Sequence, residues 1–154
     1  MKLRYTIPLI ALLATCSSAL FGMNHIKSTA SQSTLDAKDA AIKESMKVLG
    51  DVVPTEKTFD VLIDHWVSYS DTTYPMRYLV DDSNFDKTAG PILFYAGNEG
   101  DVWTFYNNSG FITETLAKDL KALVVFGEHR YFGKSMPFGK DSFKKENLKY
   151  LTVE

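Results

Sequence analysis

Pro91-Ile92-Leu93-Phe94-Tyr95-Ala96, followed at once by Gly97-Asn98-Glu99-Gly100, is an apolar run closed by a glycine-bounded turn. A second run, Leu123-Val124-Val125-Phe126-Gly127, closes on the charged cluster Glu128-His129-Arg130-Tyr131-Phe132-Gly133. Between them Ile112, Leu116 and Leu120 recur at helical spacing, which predicts a helix from about Phe111 to Lys121. Asn108 or Ser109 can cap its start, and Lys118 and Lys121 sit at the end where the helix dipole favours cations. Two continuously apolar strands flanking one helix predict a parallel pair buried on both faces and joined by a right-handed crossover. Open sheets of this kind bind ligands outside the carboxyl ends of their strands, where both polar segments fall.

Working outward, Phe59, Val61, Ile63 and His65 alternate with Asp60, Leu62, Asp64 and Trp66, which predicts a strand from about Thr58 to Trp66. Asp71 to Pro75 supplies turn residues, and Met76 to Val80 resumes extended chain, so the two strands should pair antiparallel. Asp81 to Gly90 reads as a polar loop, as does Glu128 to Lys149; Thr152 is placed to cap a further helix. Upstream, Ile42, Met46 and Leu49 mark one face of a helix from Leu35 to Leu49, with Gly50 as its C-terminal cap. That helix is either part of a pro-segment or a peripheral element of the mature domain.

The chain has 154 residues, a formal net charge of -2 and a single cysteine, Cys16. A charge so near neutral leaves no electrostatic footprint for nucleic acid or an anionic membrane surface, so neither is expected as a partner. Lys2 and Arg4, the apolar Ile7 to Ala14 and the small residues Ser17-Ser18-Ala19 form a signal-peptide pattern over residues 1–19. The apolar run is too short for a membrane span, which takes about 20 such residues. The rival targeting reading is a bacterial lipoprotein box at Leu13-Ala14-Thr15-Cys16, in which Thr15 fits poorly. Cleavage after Ala19 would remove the only cysteine. A small secreted domain without disulfides should belong to something with a large core. Residues 20–57 then form a linker or pro-segment, and 58–154 the domain.

Five blocks occur in one order: Asp64-His65-Trp66; Arg77-Tyr78-Leu79-Val80; Ile92 to Gly100; Asn107-Asn108-Ser109-Gly110-Phe111; and Glu128-His129-Arg130-Tyr131-Phe132-Gly133-Lys134-Ser135-Met136-Pro137-Phe138-Gly139. This resembles the family of lysosomal Pro-X carboxypeptidase, dipeptidyl peptidase II and thymus-specific serine protease. The resemblance implies the N-terminal part of an α/β-hydrolase sheet, incomplete here: an antiparallel strand pair, then a β-α-β unit. It implies a serine-type exopeptidase acting beside proline, of the Pro-X carboxypeptidase or dipeptidyl peptidase type. The implied partner is a peptide with proline near the scissile bond, no cofactor is implied, and the full-length enzyme could form a homodimer. A secretory, lysosomal or extracellular location follows from the same likeness and the signal pattern. Tyr106 stands where some members carry a cysteine.

In that fold the nucleophile elbow G-x-S-x-G follows strand five, with the acid and histidine later still. The catalytic Ser, Asp and His are therefore expected beyond Glu154, with none in this chain. Gly133-Lys134-Ser135-Met136-Pro137 imitates an elbow, but Ser135 lies well past its strand and before a proline that disfavours helix at Met136. His129 reads as a hydrogen-bonding residue of a rigid loop, His65 as strand packing and His25 as a solvated linker residue. Glu128, His129 and Asp101 lack the ligand spacing of a zinc site, so no metal is expected.

The turn after strand three carries the stronger case. In α/β-hydrolases a backbone N–H from this loop completes the oxyanion hole, which makes Asn98, Glu99 and Gly100 oxyanion or substrate-loop candidates. The bland alternative is an ordinary glycine-bounded turn. Asn107 heads an N-x-S sequon in an expected loop and is a glycosylation candidate. The competing functional class is a secreted, non-catalytic binding or inhibitory fragment of the same fold.

Overall fold

The computed structural model describes residues 31–67 and 69–151. The signal pattern, Cys16, His25 and Thr152 lie outside them.

Helix α1 (Gln32–Leu49) starts where the Ser31 Oγ accepts the Thr34 N–H, and it ends at Gly50, which takes the left-handed conformation at φ 78°. Gly50 and Asp51 then donate to the carbonyls of Lys47 and Met46 at 3.1 and 2.9 Å, closing the helix end as a Schellman motif. The buried stripe differs from the expected one. Met46 is buried and Ile42 packs on the core, but Leu49 is 75% exposed and the other buried residue of α1 is Asp39. Leu49 occupies the last turn, past the packed stripe, while Asp39 faces a buried cation.

Strands β1 (Thr55–Leu62) and β2 (Thr73–Asp81) form the antiparallel hairpin, in register from Thr55 opposite Val80 to Leu62 opposite Thr73. β1 begins and ends earlier than its alternation suggested. The Asp64 side chain accepts the Trp66 N–H at 2.9 Å, a local turn that competes with the ladder. His65 is therefore an exposed loop residue, not strand packing. Pro75 lies inside β2, because β4 pairs only with Tyr78 to Asp81 and leaves that end of β2 without a neighbour on one side.

β3 (Ile92–Tyr95) and β4 (Leu123–Gly127) are parallel, and the sheet order is β1-β2-β4-β3. The connection between them is not one helix. It comprises α2 (Val102–Asn107), a π-helical turn (Phe111–Leu116) and α3 (Ala117–Leu120). Asn108 Nδ2 and Ser109 Oγ donate back to the carbonyls of Thr104 and Phe105 at 2.8 and 2.7 Å. They close α2 instead of capping the next helix. Ile112 packs on the core, yet Leu120 is 47% exposed, and the buried residue of the π turn and α3 is Ala117. Two short 3₁₀ turns, Gly139–Asp141 and Leu148–Tyr150, punctuate the loop after β4.

The core of Met46, Leu79, Val102, Trp103, Tyr106, Ala117, Val124 and Phe126 joins α1 and α2 to one face of the sheet. Tyr95 stacks on Phe126 with centroids 4.6 Å apart, and Tyr106 meets the same ring edge-on at 5.2 Å. The opposite face is open, not buried as the continuous apolar runs suggested, because among the described residues no element covers it: Phe59, Ile92 and Phe94 are 65, 65 and 66% exposed. The carboxyl ends of β1, β3 and β4 lie at one end of the sheet, which gathers the hairpin loop, the turn after β3 and the loop after β4.

Candidate functional site at the carboxyl ends of the strands

Gly97 leaves β3 at φ 76°, and a Cβ there would run into the Gly127 carbonyl and lie 3.0 Å from the His129 N–H nitrogen. Only glycine permits this approach of the two strand ends. Beyond it, Asn98 and Glu99 are exposed, and the Gly100 N–H donates to the Asn98 carbonyl at 2.8 Å. Among the described residues the N–H groups of Asn98 and Glu99 have no acceptor. Asn98 Nδ2 donates to the Tyr95 hydroxyl at 2.6 Å, which ties the side chain back to β3. Asp101 ends the turn, its side chain accepting the Trp103 N–H at 2.9 Å as the N-cap of α2.

Behind the turn sits a buried ionic hub. Arg77 projects from the middle of β2 with its side chain 2% exposed. It donates to Asp39 of α1 at 2.6 Å, to Asp101 at 2.8 Å, and to both oxygens of Glu128 at 2.5 and 3.1 Å. The Glu128 carboxylate also accepts the N–H groups of Val102, Lys134 and Ser135 at 3.0, 3.0 and 3.1 Å, and the Ser135 hydroxyl at 2.8 Å. Lys134 adds contacts to Asp36 at 2.7 Å and Asp39 at 2.9 Å. Glu56 of β1 faces the cluster while accepting the Trp103 indole N–H at 2.8 Å.

Opposite charges offset the cost of burial at Arg77, Lys134 and Glu56. Burial pulls the Arg77 guanidinium down, but its bonds to Glu128 and Asp101 outweigh that and raise it above its ordinary value. Burial likewise opposes the Lys134 ammonium, and Asp36, Asp39 and Glu56 more than restore it. For Glu56 burial acts upward, yet the Trp103 donor and the charges of Arg77, Lys134 and Lys43 bring its carboxyl below the usual value. Elsewhere, burial and then Asp81 push the Tyr106 phenol up; its hydroxyl donates to Asp81 at 2.8 Å.

Ser135 is fully buried. Its Oγ accepts the Arg77 N–H at 2.9 Å and donates to Glu128, so it has neither a histidine partner nor an open face. His129 Nδ1 is 2.7 Å from the Arg130 carbonyl, and the ring meets Phe132 edge-on at 5.3 Å. The Arg130 guanidinium donates to the carbonyls of Tyr150, Leu62 and Ile63 at 2.9, 2.9 and 3.0 Å, which ties the hairpin end to the last 3₁₀ turn. Among the described residues no group of three His, Cys, Asp or Glu side chains is arranged to hold a metal, and no helix is long and apolar enough to cross a membrane.

Asn107 is exposed, as a sequon requires, but it is the last residue of α2 and not part of a loop. The structure thus brings Asn98, Glu99 and Gly100 to the strand ends beside Glu128 and His129, and leaves Asn107 apart from them, at the far end of α2. The hub itself was missed in the sequence. Its one signal was Arg77, a charge set among apolar strand residues, which must find partners if it is buried.

A four-stranded sheet ordered β1-β2-β4-β3, with its polar turns at the strand carboxyl ends, is consistent with the opening part of an α/β-hydrolase. The family model described as serine carboxypeptidase S28 matches residues 61–154, and the chain belongs to that family. Lysosomal Pro-X carboxypeptidase of Mus musculus is 48% identical over 97 residues, covering 62% of this chain and 20% of that protein. The Homo sapiens protein of the same name is 41% identical over 129 residues, covering 74% and 26%. Prolyl carboxy peptidase like protein 5 of Caenorhabditis elegans is 44% identical over 93 residues, covering 60% and 18%. The chain thus spans from 18 to 26% of the length of these relatives.

Proposed function

We propose that this chain is the opening part of a serine-type exopeptidase that cleaves beside proline, as a Pro-X carboxypeptidase or a dipeptidyl peptidase. The nucleophile, acid and histidine lie in sequence not contained here. The observation that carries the reading is the Gly97–Gly100 turn, with two unengaged N–H groups at the carboxyl end of β3. A turn so placed is suited to hold a developing oxyanion, one donor coming from it and the other from the residue after the nucleophile. Glu99, exposed beside those donors, is placed to meet a cationic group of the peptide. Membership of a serine carboxypeptidase family supports peptide hydrolysis in general. The proline preference and a lysosomal or secreted location follow from the relatives' names and the signal pattern of residues 1–19.

A fluorophosphonate probe tests the assignment. The 154-residue chain should not be labelled, because Ser135 is sealed inside the ionic hub. A form extended through a downstream G-x-S-x-G should be labelled and should cleave proline-containing peptides. Stoichiometric labelling lost on Ser135→Ala would overturn the assignment of the nucleophile. An extended reading frame without an elbow serine would favour the non-catalytic binding fragment.

A further inference from the structure

The Asn98–Glu99 turn is held from both sides, and the two anchors differ. On the β3 side Gly97 lies against the Gly127 carbonyl. On the α2 side the Val102 side chain packs in the core, and ionic contacts add a hold on Asp101 and on the Val102 N–H. Arg77 bonds Asp101 at 2.8 Å, and the Glu128 carboxylate takes the Val102 N–H at 3.0 Å. Glu128 is at once gripped by Arg77 Nε and Nη2 and by three groups of the Lys134–Ser135 turn. Gly133, at φ 54°, leaves room for it, since a Cβ there would collide with the Glu128 carboxylate and come within 2.9 Å of Arg77 Nη2.

Six donors therefore converge on one carboxylate with no exposed side-chain surface. A carboxylate only accepts and has about four lone-pair sites, which suits a site where every neighbour is an N–H or O–H donor. We propose that Glu128 is a positioning residue: clamped by Arg77, it fixes the start of α2 and thereby the direction in which the Asn98 and Glu99 N–H groups point toward a reacting carbonyl. This rests on the peptidase reading above. Oxyanion donors are effective only when held in place before charge develops, so the supporting carboxylate acts on the chemical step without touching substrate.

Glu128→Gln isolates the effect, because the amide keeps the shape but turns one acceptor oxygen into an NH₂ that faces other donors. Hydrogen–deuterium exchange on the full chain should show the bonded N–H groups of Gly100, of residues 102–105 and of residues 134–136 exchanging at least about tenfold faster, with the β1–β2 hairpin within about twofold of wild type. Uniform acceleration, or unchanged exchange at Gly100 and residues 102–105, would overturn the proposal.

Should that variant not fold, Val102→Pro removes one N–H and keeps three side-chain carbons in the core, at a first helical position that tolerates proline. Asp101 is already extended at ψ 129°, as a residue before proline needs to be. Faster exchange confined to Gly100 and residues 103–105 is the expected result, and unchanged rates there refute the positioning role. In the form that hydrolyses a proline-containing reporter peptide, Glu128→Gln should lower kcat at least about tenfold with KM within about threefold; an effect on KM alone refutes it. If the wild-type form hydrolyses nothing, the peptidase reading falls, and the exchange data still decide whether Glu128 holds the turn.

Discussion

Replacing Arg77 by Met keeps most of the side-chain volume and removes the guanidinium that, among the described residues, contacts Asp39, Asp101 and Glu128. Breaking a buried ion pair by deleting one partner costs about 3–5 kcal/mol, because the remaining charge is left buried without compensation. Here three carboxylates lose a donor, but none loses all. Glu128 keeps Val102, Lys134 and Ser135; Asp39 keeps Lys134; Asp101 keeps the Trp103 N–H. These residual bonds hold the expected loss to that range rather than a multiple of it, and for a chain of this size it corresponds to a drop in Tm of roughly 10–20 °C. Urea unfolding followed by the emission of Trp103, which is fully buried and bonded to Glu56, reads the change directly. A loss under about 1 kcal/mol would refute the reasoning, since that is the scale of an exposed ion pair. So would an equal loss in Arg77→Lys and Arg77→Met, because lysine retains the charge that the argument makes decisive.

The sign of the pH effect follows from Glu56. Its folded-state carboxyl lies below the ordinary value of 4.5, so its contribution is complete above that pH and is lost as acid takes the medium down through the folded value. Glu56→Gln should therefore flatten the acid limb of stability against pH, and an unchanged limb in urea titrations would exclude the pairing. Gly97→Ala forces a Cβ onto the Gly127 carbonyl at a positive φ, for a loss of at least about 1–3 kcal/mol in the same assay; wild-type stability would show that the strand ends are not in such close contact. Ile92→Lys places a charge on the exposed side of the edge strand β3, so concentration-dependent association seen by light scattering should fall; unaltered association would place the sticky surface elsewhere. Asn107→Gln should remove one glycan mass from protein made in a eukaryotic secretory host, and an identical mass spectrum apart from the substitution would remove Asn107 as an acceptor.

The sequence by itself determined the parts whose cause is local. Apolar runs closed by Gly97 and Gly127 specify two strands, because short runs rich in β-branched and aromatic residues favour extended chain and a sharp exit needs glycine. The hairpin and the Gly50 cap of α1 are likewise written in residues close in the chain, and the Gly-Asn-Glu-Gly and Glu-His-Arg-Tyr blocks carried the family resemblance. Element ends were less legible: β1 stops at Leu62 because Asp64 bonds the backbone of its own turn, and α2 is six residues long, too short for periodicity to announce.

Only the tertiary structure decided which charges are buried and for whom. Asp39, Asp101 and Glu128 stand 38, 24 and 51 residues from Arg77, and nothing near any of them in the chain marks it as a partner. Local pattern reports whether a residue is polar, and burial depends on what the rest of the fold places above it. The same reason separates Asp39, hidden on α1, from Leu49 and Leu120, left in the open on faces that their spacing had marked as apolar. A charge goes inside when several distant segments together offer it more hydrogen bonds than water does, and that condition is met only once the strands are paired.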